Sequence, residues 1–256
     1  MVSYYNLDPG KQIYFASDLH LGAPNLQSSL KRERLFCNWL DKIKLDAQAI
    51  YIVGDLFDFW FEYRHAIPRG FARIQGKIAS ITDSGIPVHL FTGNHDMWMF
   101  DYLPKELGVS VHREPIEREW EGKKFFIGHG DGLGPGDYVY KFIKKVFANR
   151  LCQWLFARLH PNFGIGLANY FSRKSRIATS SDEEIWQGEE KEWLVHFCKD
   201  ELSKSHHDYF VFGHRHLPIE FDLGQDSTYY NLGDWIRYNS YLEFDGDRCY
   251  LRYFEK

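Results

Sequence analysis

Five short apolar runs in this chain each stop at a residue able to bind a metal, and each stop falls where a β-strand would give way to a loop. Ile13-Tyr14-Phe15-Ala16 leads to Asp18 and His20, and Ala49-Ile50-Tyr51-Ile52-Val53 leads to Gly54-Asp55. Val88-His89-Leu90-Phe91 leads to Gly93-Asn94-His95-Asp96, Lys124-Phe125-Phe126-Ile127 to Gly128-His129, and Tyr209-Phe210-Val211-Phe212 to Gly213-His214-Arg215-His216. Repetition makes the pattern informative: the strands of one sheet would carry Asp, His and Asn to a common edge, where ligands of open α/β sheets bind.

The order of elements fits such a sheet. An amphipathic helix is expected at about 28–44, with Leu30, Leu35, Phe36, Trp39, Leu40 and Ile43 on one stripe, and a second at about 69–84, closed by Gly85 and Pro87. The resulting βαβαβ run favours parallel strands with right-handed crossovers. Two further strands, 109–112 and 123–128, are expected around the Glu121-Gly122 turn, and a helix at about 182–203 opens on a capping box from Ser181 to Glu184. The last third reads as β: 209–212, 228–232, and a hairpin of 240–244 with 248–254 through Asp245-Gly246.

Charge is unevenly spread. The net charge is −4, yet from Tyr138 to Arg176 there are eight Lys or Arg and no Asp or Glu, so this segment carries +8 and the rest −12. The same 39 residues hold nine aromatics, which suggests an anionic partner with apolar bulk. Cys37, Cys152, Cys198 and Cys249 are scattered without a CxxC pair, which argues against a disulfide framework or zinc knuckle. The start of the chain has no basic and apolar leader pattern, and no run approaches the roughly 18–20 apolar residues of a membrane span, so a cytoplasmic protein is expected.

The motif residues form a mixed N/O set. Asp18, Asp55 and Asn94 offer oxygens, and His20, His129, His214 and His216 offer imidazoles, with no thiolate. Such donors suit Mn²⁺, Fe²⁺ or Zn²⁺ and are too nitrogen-rich for a dedicated Mg²⁺ or Ca²⁺ cage. Residues two apart on a strand face one way, so Asp18 with His20, and His214 with His216, are expected to act as paired ligands. Seven ligands exceed the needs of one ion in an open site. Two ions about 3.5–4 Å apart, bridged by a carboxylate, would use them all and favour in-line attack on phosphorus.

The ordered set DLH, GDLFD, GNHD, HGD and GHRH resembles the calcineurin-like metallophosphoesterase family. The resemblance implies an α/β (α+β) sandwich of two mixed β-sheets flanked by helices. It further implies that Asp18, His20 and His216 hold one ion, Asn94, His129 and His214 the other, and that Asp55 bridges them. His95 would contact the phosphoryl oxygen or assist the leaving group, with Asp96 orienting it and Asp58 orienting a ligand.

Within that family, HGDGLGPGDYVYKF, the basic and aromatic run, and ANYFSRKSR resemble the UDP-2,3-diacylglucosamine diphosphatase branch of lipid A biosynthesis. That resemblance implies one domain over residues 1–256 with a helical insertion at about 134–180 acting as a lid, and Asp137, Tyr140, Lys174, Ser175 and Arg176 as substrate-binding residues. It also implies two divalent ions, Mn²⁺ favoured, a nucleotide-linked diacyl sugar as substrate rather than nucleic acid, and residence on the anionic cytoplasmic face of the inner membrane. The chain departs from the branch in reading GNHD where GNRD is usual. A phosphoesterase for a soluble nucleotide or simple phosphate ester is the alternative. A metal-poor scaffold would be marked by lost ligands, and none is lost here.

Overall fold

The computed structural model describes residues 3–134, 138–179, 185–186 and 188–255, with backbone alone at 3–4, 139–140 and 173–179. Two six-stranded sheets pack face to face. One runs β12(Cys249–Tyr253), β11(Ser240–Phe244), β2(Gln12–Ala16), β3(Ala47–Val53), β4(Val88–Phe91), β5(Ser110–His112). The other runs β1(Ser3–Tyr5), β6(Ile116–Trp120), β7(Lys123–Gly128), β8(Tyr209–Phe212), β10(Ser227–Leu232), β9(Pro218–Gly224). Both are mixed: β2 to β5 are parallel, as are β7, β8 and β10, while β11, β12, β6 and β9 enter antiparallel pairings.

Alternation along each strand divides the core. Ile13 and Phe15 of β2 face the other sheet, where they meet Trp120, Phe125 and Val211, whereas Tyr14 and Ala16 face α1(Leu26–Ile43) and its neighbour α2(Ala72–Asp83). α3(Tyr102–Leu107) completes that layer. On the opposite side α7(Trp193–Leu202) covers Phe210, Phe212 and Tyr229. The order of layers is therefore helix, sheet, sheet, helix. Asn25 caps α1, its side chain accepting from the Ser28 N–H at 3.0 Å, so the helix begins ahead of residue 28.

Three elements differ from expectation. The strand that turns back at Glu121-Gly122 to pair with β7 is β6; of the strand expected at 109–112, residues 110–112 pair with β4 in the other sheet. The helix expected at 182–203 begins at Trp193, after a 3₁₀ turn at Glu189–Lys191 that follows Gly188 at φ +91°; Ser181 and Glu184 lie outside the described residues. Most consequentially, the five motif-bearing strands belong to two sheets, with β2, β3 and β4 in one and β7 and β8 in the other.

The basic and aromatic segment forms α4(Tyr138–Ala148), α5(Arg150–Phe156) and α6(Pro161–Thr179). Phe156, Ile165 and Ala168 pack on Phe59, Phe61 and Trp98, and the Trp98 indole N–H donates to the Phe147 carbonyl at 2.8 Å. Tyr138, Phe142, Leu151, Trp154, Leu155, Phe163, Tyr170 and Phe171 are each more than half exposed. Among the described residues no helix is long and apolar enough to cross a membrane.

Candidate metal centre

The ligand-type residues lie just past the strand ends, not on them. Asp18, His20, Asp55, His214 and His216 all adopt left-handed backbone, with φ between +44° and +69°. The paired arrangement of Asp18 with His20, and of His214 with His216, thus comes from loop turns instead of strand alternation; Asp and His are among the non-glycine residues that visit this region most readily. Backbone bonds lock the loops together: His20 N–H donates to the Asp55 carbonyl at 2.9 Å, Leu21 N–H to Leu56 at 3.0 Å, and Gly213 N–H to His129 at 3.0 Å. The Arg32 guanidinium reaches from α1 to the carbonyls of His20 and Ala23 at 2.7 and 2.6 Å.

The glycine that opens three of the motifs is where a neighbouring motif residue lies against the backbone. An added Cβ would lie 2.3 Å from His129 Nδ1 at Gly54, 2.1 Å from Asp55 Oδ1 at Gly93, and 2.5 Å from Asp18 Oδ2 at Gly213. Each missing side chain makes room for a residue brought in by another loop.

Two groups of donor atoms result. In the first, the Nε2 atoms of His20 and His216 are 3.1 Å apart, and Asp18 Oδ1 lies 3.7 and 3.3 Å from them. The far ring nitrogens face carboxylates: His20 Nδ1 lies 3.5 Å from Asp58 Oδ1, and His216 Nδ1 3.4 Å from Asp234 Oδ2. In the second, Asn94 Oδ1 lies 3.2 Å from His129 Nε2 and 3.0 Å from His214 Nδ1, while His129 Nδ1–H donates to the Val53 carbonyl at 2.8 Å. Asp55 Oδ2 stands between the groups, 3.5 Å from His20 Nε2 and 3.4 Å from His129 Nε2.

This arrangement asks for positive charge. The outer nitrogen of His129 meets the Val53 carbonyl and those of His20 and His216 face carboxylates, while the inner nitrogens converge on one another and on Asp18 and Asp55. Asp18 Oδ1 is buried with no hydrogen-bond partner among the described residues. Burial opposes ionisation of Asp18, yet His216 and His20 hold its carboxyl at about 2; burial likewise opposes Asp55, which His129, His95 and His20 keep well below the usual range. Burial works against the His129 cation too, but Asp55 raises it to about 10. A divalent cation answers these demands, and Asp18-His20-His216 and Asp18-Asp55-His129 are clusters whose donor atoms are close enough to hold one.

His95 sits beside this pair of groups, its ring edge-on to His20 at 4.7 Å. Its Nδ1 is 3.2 Å from the Asp58 carbonyl, 3.6 Å from Asp58 Oδ1 and 3.0 Å from Ser172 Oγ. Burial lowers the imidazole to about 4. Asp96 does not make the orienting contact expected of it: its two oxygens accept from Gly93 N–H at 2.8 Å and Phe57 N–H at 3.2 Å, bracing the loop, and Asp58 faces the ring instead. Burial, then Asp55, raises the Asp96 carboxyl to about 7.

Of the substrate-binding candidates, Asp137 lies outside the described residues. Tyr140 falls on α4, and Lys174, Ser175 and Arg176 on α6, with their side chains likewise outside. Four residues with direct roles in the geometry escaped the sequence reading. Asp234 meets His216, Ser172 meets His95, and Asp131, buried beside His129, is gripped by Lys144 of α4 at 2.7 Å. Two of them left a trace: Asp131 is the acid of the HGD motif, and Gly233-Asp234 ends the apolar run of β10 as the five motifs end theirs.

A cavity of about 510 Å³ opens beside the centre. Asp58, Asn94, His95 and Ser172 form its polar end, Lys144 adds one cation, and Phe59, Trp98, Phe147, Phe156 and Phe171 make most of the remainder apolar.

The calcineurin-like phosphoesterase family model matches residues 11–218. The protein named UDP-2,3-diacylglucosamine hydrolase from Porphyromonas gingivalis (strain ATCC BAA-308 / W83) is 40% identical over 256 residues, covering 95% of this chain and 98% of that one. The protein of the same name from Vibrio vulnificus (strain CMCP6) is 28% identical over 245 residues, covering 91% and 93%. Among solved structures, Yfce, a phosphoesterase from E. coli, is 17% identical with a TM-score of 0.43, covering 95% of this chain and all of that one. The sequence matches decide the assignment: this chain belongs to the calcineurin-like phosphoesterases and is a metal-dependent hydrolase.

Proposed function

We propose that the protein hydrolyses the pyrophosphate of UDP-2,3-diacylglucosamine, releasing UMP and 2,3-diacylglucosamine 1-phosphate, as a step of lipid A biosynthesis. The observation that carries this reading is the cavity of about 510 Å³, polar where it meets Asn94 and His95 and apolar beneath α4 and α6. A phosphate at one end and acyl chains at the other match that division. The relatives' names supply the specific substrate.

In this reading Asp18, His20 and His216 hold one divalent ion, Asn94, His129 and His214 a second, and Asp55 bridges them, with Mn²⁺ the favoured metal. Bound there, such ions supply Lewis acidity toward phosphoryl oxygens and make water a stronger acid near neutral pH. The chain's own residues do the rest. His129 and His216 are fixed in ring orientation by the Val53 carbonyl and Asp234. His95 exchanges a proton with, or donates a hydrogen bond to, the phosphoryl group undergoing attack. Asp96 holds the loop that carries Asn94 and His95.

Helices α4 to α6 act as a lid inserted at about 134–180 into one domain spanning residues 1–256. Asp137, Tyr140, Lys174, Ser175 and Arg176 would bind the substrate from that segment. Its exposed aromatics, interleaved with lysines and arginines, suit the anionic cytoplasmic face of the inner membrane. The test is hydrolysis of UDP-2,3-diacylglucosamine in detergent micelles with Mn²⁺, beside UDP-N-acetylglucosamine and a chromogenic phosphodiester. UMP released from the lipid alone supports the reading; turnover confined to the soluble compounds overturns it.

A further inference from the structure

We infer that Ser172, on α6, is a positioning residue for His95, so that the helix covering the cavity also sets the orientation of the imidazole beside the metal centre. The inference rests on the hydrolase reading above and extends it to a residue outside the motifs. Ser172 Oγ donates to the Asp58 carbonyl at 3.2 Å and lies 3.0 Å from His95 Nδ1. A carbonyl only accepts, so the hydroxyl hydrogen is committed to Asp58 and the oxygen lone pairs remain for His95. The other atoms near Nδ1 are the same carbonyl at 3.2 Å and Asp58 Oδ1 at 3.6 Å, both acceptors. Acceptors around Nδ1 favour the tautomer with hydrogen there, and the contact with Ser172 fixes the tilt of the ring.

Position on the helix gives this contact its significance. Ser172 lies one turn beyond Ala168 and next to Phe171, and all three line the cavity. An apolar group packed on Ala168 and Phe171 favours the position of α6 at which Ser172 meets His95. Occupancy of the apolar end is thereby coupled to the tautomer and tilt of the ring at the polar end.

Ser172→Ala and Ser172→Thr, compared with the unaltered enzyme on the lipid in micelles and on bis(p-nitrophenyl) phosphate, test this. Ser172→Ala is expected to lower kcat on both substrates by about tenfold, the scale of one hydrogen bond to a group that becomes charged, with KM for the lipid unchanged. Ser172→Thr, which keeps the hydroxyl, restores kcat. Nitrogen-15 spectra of His95 should show the Nδ1–H tautomer in the unaltered and Thr proteins and a mixture in the Ala variant. An unchanged kcat, a loss expressed wholly in KM, or a Thr variant as slow as the Ala variant overturns the inference. Should the unaltered enzyme fail on the lipid, the substrate reading falls, while the diester still decides the role of Ser172.

Discussion

The Nε2 atoms of His20 and His216 stand 3.1 Å apart with their rings stacked at 4.8 Å, and Asp18 Oδ1 faces both. Two ring nitrogens and a carboxylate oxygen converging at that separation suit a cation held among them. Stripping divalent ions with a chelator is therefore expected to lower the melting temperature as well as activity, and Mn²⁺ to restore both; saturation at about a hundred times Kd is worth about 2.7 kcal/mol. His216→Ala should bind about one ion fewer per chain by elemental analysis. A chelated protein that melts like the loaded one would contradict the assignment of these ligands.

Space, not flexibility, is what Gly93 provides. A Cβ there would lie 2.1 Å from Asp55 Oδ1, whereas at Gly76, inside α2, it would meet nothing within 4 Å. Gly93→Ala is expected to cut turnover by about a hundredfold through displacement of Asp55, and Gly76→Ala to leave turnover intact while adding about 0.5–1 kcal/mol of stability. Paired kinetics and denaturant titrations check both.

Asp58 touches two histidines, lying 3.5 Å from His20 Nδ1 and 3.6 Å from His95 Nδ1. Its neutral isostere keeps the shape and removes the charge that fixes both rings. Asp58→Asn should lose about 10- to 100-fold in kcat with an unchanged far-ultraviolet circular dichroism spectrum. Activity within twofold of the unaltered enzyme would mean that the backbone carbonyl of Asp58 suffices.

His89 and His112, on β4 and β5, are 3.0 Å apart at Nδ1 and Nε2; Tyr51 stacks on His89, and the Arg118 cation faces both. Burial lowers them to about 3 and about 4, with the charge of His112 adding to the effect on His89 and that of Arg118 to the effect on both. The unfolded chain therefore takes up protons first as pH falls below about 6.5, and stability declines from there toward pH 4. Urea unfolding of chelated protein at pH 7, 6 and 5 should show this decline, and replacing both residues with Phe should make it shallower. An equal slope in the double variant would place the acid sensitivity elsewhere.

The sequence made the strands and the donor-type residues after them legible because each strand ends in a glycine or serine and a donor residue, a purely local signal. α1 was legible for the same reason, its stripe of Phe36, Trp39, Leu40 and Ile43 being complete within one segment. What stayed hidden depends on distant partners. Nothing in Phe125-Phe126-Ile127 tells that β7 joins the second sheet, since both sheets' inner strands are apolar. β6 carries three charged residues in succession, Glu117, Arg118 and Glu119, β9 carries Glu220 and Asp222 at alternate positions, and neither has a continuous apolar run. The meeting of Asp58 and Ser172 at His95 joins residues far apart in sequence, a relation made by the docking of α6 and by no spacing along the chain.

Because the donor atoms are divided between two sheets, the side chains packed between those sheets act as a spacer for the chemistry. Phe15 and Phe125 stack across that interface at 6.0 Å, with Trp120 edge-on to Phe125 at 4.8 Å, and such interiors are too dense to yield locally. One methylene gained or lost there would slide Asp18 and Asp55 relative to His129 and His214. The catalytic rate is consequently a finer gauge of this aromatic interior than the melting temperature: a repacked core can remain folded while the two halves of the centre no longer match.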